Sequence, residues 1–334
     1  VNFKSSKPSQ QRRTVTKLLA LTMLASIGCV GVAHADTYPS KPITLVVPYP
    51  AGGANDMLGR LIGQKLSEGL GQQVIIDNKP GAGTLIGANI VAKAAPDGYT
   101  LLVGGFASNA VSPLLFKAEY DPLTAFEPIG MFGTAPTMVI TYPESPYKTI
   151  KDVVDAAKKK PGTLMYGSSG NGSPLHMAGE MFTAQAGVDM VHVPYKGGSA
   201  HILDLIGKRL DVIFDTSTNA SKLVQGGKVR AIAVSSKTRL PDFPDVPTLI
   251  EAGYPDFAVN GWYALFAPAK TPKDITQKLS TELQKVLKQP DVVEKLRGVG
   301  VTPGTGNQEE LAKYGPAEIE KYTKLIKAAN IKAD

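Results

Sequence analysis

The sequence predicts a two-lobed α/β protein whose two mostly parallel sheets are joined by a hinge. Three observations predict it. Strand and helix signals alternate in two successive series, the pattern of parallel sheets covered by helices. A long apolar run, Ile129 to Thr141, separates the series, and a second run, Trp262 to Ala267, returns after them. Several strand ends open onto loops of glycine and small polar residues, which in such sheets gather along one crevice. Two lobes joined by a crossing and a return form a hinge with a ligand cleft between them. We place the first lobe at residues 36–138 and 259–334, and the second at 139–258.

The chain has 334 residues. Residues 1–35 read as an export signal and are set aside from the fold. Lys4, Lys7, Arg12, Arg13 and Lys17 form a basic start, Leu18 to Val32 an apolar stretch too short to span a membrane, and Ala33-His34-Ala35 a cleavage site. Cleavage after Ala35 leaves Asp36 first. Five basic residues leave with the signal, so the net charge falls from +7 to +2. No basic stripe with interleaved aromatics remains, which argues against nucleic acid as a partner. Cys29, the one cysteine, lies in the signal, so disulfides, thiol catalysis and cysteine metal sites are excluded from the mature chain.

The elements follow in order. Ile43 to Val47 reads as a buried strand, followed by a Pro/Gly loop and a helix from Ala54 to Leu70. Gln73 to Asp77 is a strand, Asn78 to Gly81 a turn, and Leu85 to Ala94 an apolar helix. Thr100 to Val103 is a strand, Ala110 to Leu115 a short helix, and Ile129 to Thr141 the crossing. The second series opens with the helix Ile150 to Lys160, lysine-rich at its end and stopped by Pro161-Gly162. Strands are predicted at Leu164–Tyr166, Met190–Val193, Val212–Phe214 and Val229–Val234. Helices lie between them at Leu175–Ala186, Ser199–Ile206 and Ala220–Gln225. Leu240 to Pro247 is a loop, Trp262 to Ala267 the return, and Pro272–Leu287, Asp291–Arg297 and Gln308–Ala329 are closing helices.

Four strand ends carry candidate chemistry. Ala51-Gly52-Gly53 leaves bare amides at the mouth of a helix, an arrangement that binds anions. Asp56 behind it reads as a structural residue of the first helical turn. Phe106, after Gly104-Gly105, is either a core aromatic or a wall for an apolar ligand body. Ser168, Ser169 and the amides around Gly170 and Gly172 form a second anion nest, with Ser173 as helix N-cap and Pro174 at the first helical position. His176 reads as a histidine bonded within its own loop, or as a donor to ligand. Lys196 is either solvated or paired with a carboxylate. Asp215 ends a buried strand, so it needs partners: its own loop amides or the polar end of a ligand.

Enzyme motifs do poorly. Gly81 to Gly87 has GxGxxxG spacing, not the dinucleotide-binding GxGxxG, and Gly167 to Gly170 is no nucleophile elbow. His176, His192 and His201 have neither zinc-site nor triad spacing. The residues predict a protein that holds a small molecule, with no cofactor and no metal.

Tyr38-Pro39, Lys41-Pro42-Ile43, the run Val47 to Gly53 with Asp56, Asn78 to Gly83, Ala95 to Thr100, Pro194 to Gly198 and Gly261-Trp262 together resemble the Bug family of extracytoplasmic solute receptors of tripartite tricarboxylate transporters. The resemblance covers essentially all of the mature chain. It implies a type II, Venus-flytrap periplasmic binding protein that is no enzyme. Its partners are a small carboxylate and the permease subunits of a tripartite transporter; a sensor kinase is the alternative partner, and a secreted α/β hydrolase a remoter reading. A monomer is expected. The resemblance further implies that Tyr49, Ala51, Gly52, Gly53 and Asn55, with Ser168, Ser169, Gly170, Asn171, Ser173 and His176, hold the ligand's carboxylate. Main-chain groups of Ala51 and Gly53 are the expected donors. Phe106, Ala107, Ser108, Lys196, Gly197, Asp215, Thr216 and Ser217 line the remainder. Gly104 to Phe106 and Thr216 to Thr218 depart from the family pattern, so ligand identity is not inherited; Phe106 favours a dicarboxylate with an apolar or aromatic body.

Overall fold

A computed structural model describes residues 1–2, 38–195, 200–255, 257 and 259–331. Residues 3–35 of the predicted signal, and with them its cleavage site, lie outside the described residues. The chain divides into two compact units, Val1–Ser40 and Lys41–Asp334, and the second carries every element below.

The first series comprises β1 (Ile43–Val47), α1 (Ala54–Leu70), β2 (Val74–Asn78), α2 (Leu85–Ala92) and β3 (Thr100–Gly105). A π-helical turn at Ala107–Val111 and the single turn α3 (Ser112–Leu115) stand where one short helix is predicted. Then β4 (Phe126–Thr141) crosses to α4 (Ile150–Lys159), β5 (Met165–Ser168), α5 (Pro174–Ala186), β6 (Val191–Pro194), α6 (Ala200–Ile206), β7 (Val212–Thr216), α7 (Ser217–Gln225) and β8 (Arg230–Val234). The chain returns through β9 (Asn260–Pro268) to α8 (Lys273–Val286), α9 (Pro290–Gly298), β10 (Thr302–Pro303) and α10 (Gln308–Ala328).

The strands form one continuous sheet in the order β2-β1-β3-β9-β4-β7-β5-β6, with β8 and β10 also on β4. Its outer strands are parallel: β1 pairs β2 and β3, and β5 pairs β6 and β7. The central pairings of β3 with β9, and of β4 with β9, β7, β8 and β10, are antiparallel. The strand β4 is the crossing itself. Up to Pro136 it pairs with β9 of the first half, and from Thr137 with β7 of the second. At that handover the Thr137 hydroxyl donates to the Val259 carbonyl at 2.8 Å, and the Ser235 hydroxyl donates to the same oxygen at 3.1 Å. Both connections between the halves are thereby tied at one point.

Local chemistry explains the elements. The helix α4 begins at a capping box, Thr149 accepting from the Asp152 amide while the Asp152 carboxylate accepts from the Thr149 amide. Ile150, Val153, Val154 and Ala157 then bury one face, and Lys158 and Lys159 complement the negative end of its dipole. Burying one such aliphatic side chain is worth ~1.5–3 kcal/mol, so this face outweighs any single surface pairing. The strand β3 runs on to Gly105, past its predicted end, because Gly104 and Gly105 pair with Ala264 and Tyr263 of β9. One apolar cluster joins Val46 and Leu102 of the first half to Tyr166, Phe182 and Phe214 of the second, through Phe106, Val139 and Trp262.

Candidate functional site

The C-terminal ends of β1, β3, β5 and β7 meet around a cavity of about 510 Å³. Three helices begin at its wall. Ala54 and Asn55 open α1, Ser173 and Pro174 open α5, and Thr216 and Thr218 stand at the start of α7. Among the described residues no side chain caps α1 or α7, so their first-turn amides are open to another acceptor. No Lys, Arg, Asp or Glu side chain lines the cavity among the described residues. Backbone dipoles at the three helix starts favour an anion there.

The first loop is held from behind. The Asp56 carboxylate, 3% exposed, accepts the Gly52 amide at 2.8 Å, Arg60 Nε at 3.0 Å and Asn78 Nδ2 at 3.0 Å. The hydrogen bond from Arg60 holds its pKa down to about 2. Asn78 also donates to the Tyr49 carbonyl at 3.1 Å. Asp56 is therefore the structural anchor that its position in the helix suggests. It consumes the Gly52 amide, whose residue supplies the turn with a φ of +83°. Gly53, at φ −82°, is the N-cap, and a Cβ there would meet only the Pro50 carbonyl oxygen at 3.7 Å.

Eight predicted residues line the cavity: Tyr49, Asn55, Phe106, Ala107, Ser169, Asn171, Ser173 and Thr216. Ala51, Gly52 and Gly53 flank it within the first loop. Others stand one layer behind. Ser108 accepts the Gly105 amide and donates to Asn109 Oδ1, and Ser217 donates to the Gly300 carbonyl at 2.6 Å. Ser168, fully buried, lies 2.7 Å from His192 Nε2 and accepts the Gly170 amide, so it is no exposed nucleophile. His176 is buried and accepts the Gly172 amide on Nδ1 at 3.0 Å. Asp215 is buried too: it accepts the Thr216 amide at 2.7 Å and Asn219 Nδ2 at 3.1 Å, and faces His201 Nε2 at 3.4 Å. Its loop-amide partners are present, together with a histidine the sequence did not suggest. Lys196 and Gly197 lie outside the described residues.

Sequence reasoning missed part of the wall. Trp262 and Tyr263 of β9, Thr218 and Asn219 of α7, and Thr84 behind Gly81 also line the cavity. The buried Trp262 indole N–H has no partner among the described residues. Burial pushes the Tyr263 phenol up to about 12 and the Tyr49 phenol higher still, so both remain neutral hydroxyls able to donate to an oxygen. Gly261-Trp262 is visible as a motif in the sequence, but every residue from Gly261 to Pro268 is buried, so no alternation marks which face meets the cavity.

Residues 58–331 match the model of the tripartite tricarboxylate transporter family receptor. A protein from the tcbD-tcbE intergenic region of Pseudomonas sp. strain P51 is 38% identical over 318 residues, 94% of each chain. Three solved structures align over their whole length. Rpa4515 of R. palustris with adipate (34% identity, TM-score 0.78) and the periplasmic binding protein BugD (35%, 0.75) each cover 89% of this chain. MatC from Rhodopseudomonas palustris with bound malate (31%, 0.74) covers 86%.

Proposed function

The chain belongs to the receptor family of tripartite tricarboxylate transporters, and from that premise we propose that it captures a small dicarboxylate in the periplasm and delivers it to a tripartite tricarboxylate-type permease. The observation that carries the reading is the convergence of three helix N-termini on a cavity with no charged side chain in its described wall. An ion pair is unnecessary there, because amide dipoles and neutral hydroxyls of Tyr49, Ser169, Ser173 and Tyr263 supply the donors. One carboxylate sits between the starts of α1 and α5, and the other end reaches toward Thr216 and Thr218. Phe106 and Trp262 cover the body between them. Adipate, bound by Rpa4515, has that form: two carboxylates on an apolar chain.

In this reading the lobes are residues 36–138 with 259–334 and residues 139–258, and a bound ligand draws them together about β4. The protein works as a monomer without catalysis. A thermal-shift series with adipate, malate, hexanoate and the uncharged adipamide tests the function, since a ligand bound only by the native state raises the melting temperature. Adipate or malate should raise it, hexanoate less, and adipamide not at all. An equal response to adipamide would remove the anion from the account.

A further inference from the structure

Behind the second loop lies a stack of three rings, of which Tyr166 and His176 are buried and His192 is partly exposed. Tyr166 of β5 and His192 of β6 are register partners, and their rings stack with centroids 4.9 Å apart. His192 stacks in turn on His176 of α5, 3.9 Å away and 7° from parallel. Gly179 makes the stack possible: a Cβ there would come within 2.1 Å of the Tyr166 ring. Each histidine acts on a loop amide. His176 Nδ1 accepts the Gly172 N–H directly, at 3.0 Å. His192 Nε2 lies 2.7 Å from the Ser168 hydroxyl, which accepts the Gly170 N–H at 3.1 Å. The two amides bracket Asn171, which lines the cavity with Ser169 and Ser173.

A nitrogen that accepts an N–H carries no proton, so neutral His176 holds its proton on Nε2, 3.6 Å from Glu180 Oε1. That oxygen also accepts the Tyr166 hydroxyl at 2.5 Å. A protonated ring presents N–H at both nitrogens, and Nδ1–H then faces a second donor. Glu180 on the same helix, Tyr166 from β5 and His192 from β6 are the titratable groups facing His176 among the described residues.

We propose that His176 is the positioning residue of the second amide cradle and that its protonation releases the cradle. Neutral His176 fixes the Gly172 amide and with it the course of residues 170–173; the imidazolium turns that amide away. The consequence for carboxylate affinity rests on the function proposed above, whereas the effect on the loop does not. Protonation of His176 lowers carboxylate affinity ~3–10-fold, the effect of one neutral hydrogen bond.

The test follows the Gly172 amide and the His176 ring nitrogens by NMR in ligand-free protein from about pH 8 to pH 5. It is run on wild type, His176→Asn and His176→Ala. In the wild type the Gly172 amide signal should move with the midpoint of the His176 ring. The asparagine side chain offers an oxygen near the Nδ1 position but does not titrate, so His176→Asn should keep the bonded amide shift at every pH. His176→Ala should lack it throughout. A wild-type amide that ignores the ring titration, a ring that does not titrate in this range, or a His176→Asn protein that follows the wild-type curve would each overturn the proposal. Calorimetric titration with adipate at both ends of the range adds the affinity. Absence of adipate binding would count against the proposed function and leave the amide result standing.

Discussion

Two adjacent glycines in the first loop do different work. Gly52 holds a φ of +83°, where an L side chain is strained, and its amide is given to Asp56. Gly53 lies in extended backbone, and a Cβ there would make only an ordinary contact with the Pro50 carbonyl oxygen at 3.7 Å. Gly52→Ala should therefore destabilise the fold by roughly 1–2 kcal/mol, read as a lower denaturation midpoint. Gly53→Val should cost no more than the ~1 kcal/mol of a poor N-cap residue and weaken carboxylate binding at least ~10-fold by placing bulk over the α1 amides. Wild-type affinity in a folded Gly53→Val protein would move the site off this loop. Asp56 gives a pH dependence. Its pKa of about 2 lies below its ordinary 3.8, so its contribution is complete above about pH 4 and is lost as the pH falls through 2. We expect ~1–2 kcal/mol of acid-labile stability. Denaturant unfolding between pH 7 and pH 2.5 should show a shallower acid loss in Asp56→Asn than in wild type.

Helix caps separate binding from stability at the level of elements. Ser173 caps α5 by accepting the His176 amide at 3.3 Å and lines the cavity, whereas Thr149 caps α4 away from it. Thr149→Ala and Ser173→Ala should each cost ~1 kcal/mol of stability. Only Ser173→Ala should also weaken ligand binding in calorimetric titration. Equal affinities for the two variants would leave Ser173 a cap and nothing more. Elements whose signals are local were legible in the sequence. The α1 and α5 helices match their predicted spans closely, because apolar periodicity and a terminating glycine, joined at α5 by the Ser173 cap, act within a few residues. Elements defined by distant partners were not. The two residues of β10 exist only through Thr134 and Gly133, and Gly104 and Gly105 become strand only against β9. The site divides the same way: its loops carry glycine and serine signatures, but Trp262 and Tyr263 reach it from the middle of a strand buried on both faces.

For the molecule as a whole, the handover at Pro136 and Thr137 is where the two halves of the sheet meet, and the Thr137, Ser235 and Val259 contacts tie the crossing to the return. A hinge there predicts a smaller radius of gyration when ligand binds. Small-angle scattering with and without saturating adipate measures it, and an unchanged radius would argue against closure about this point. At the centre of the proposed function, a carboxylate is held by helix N-termini and not by a cationic side chain. A crystal structure with the dicarboxylate that raises the melting temperature most tests it directly. The account predicts one carboxylate within hydrogen-bond reach of main-chain N–H groups at the starts of α1 and α5, with Phe106 and Trp262 against the ligand's body. A carboxylate paired instead with a lysine or arginine side chain, or seated away from these helix starts, would contradict it.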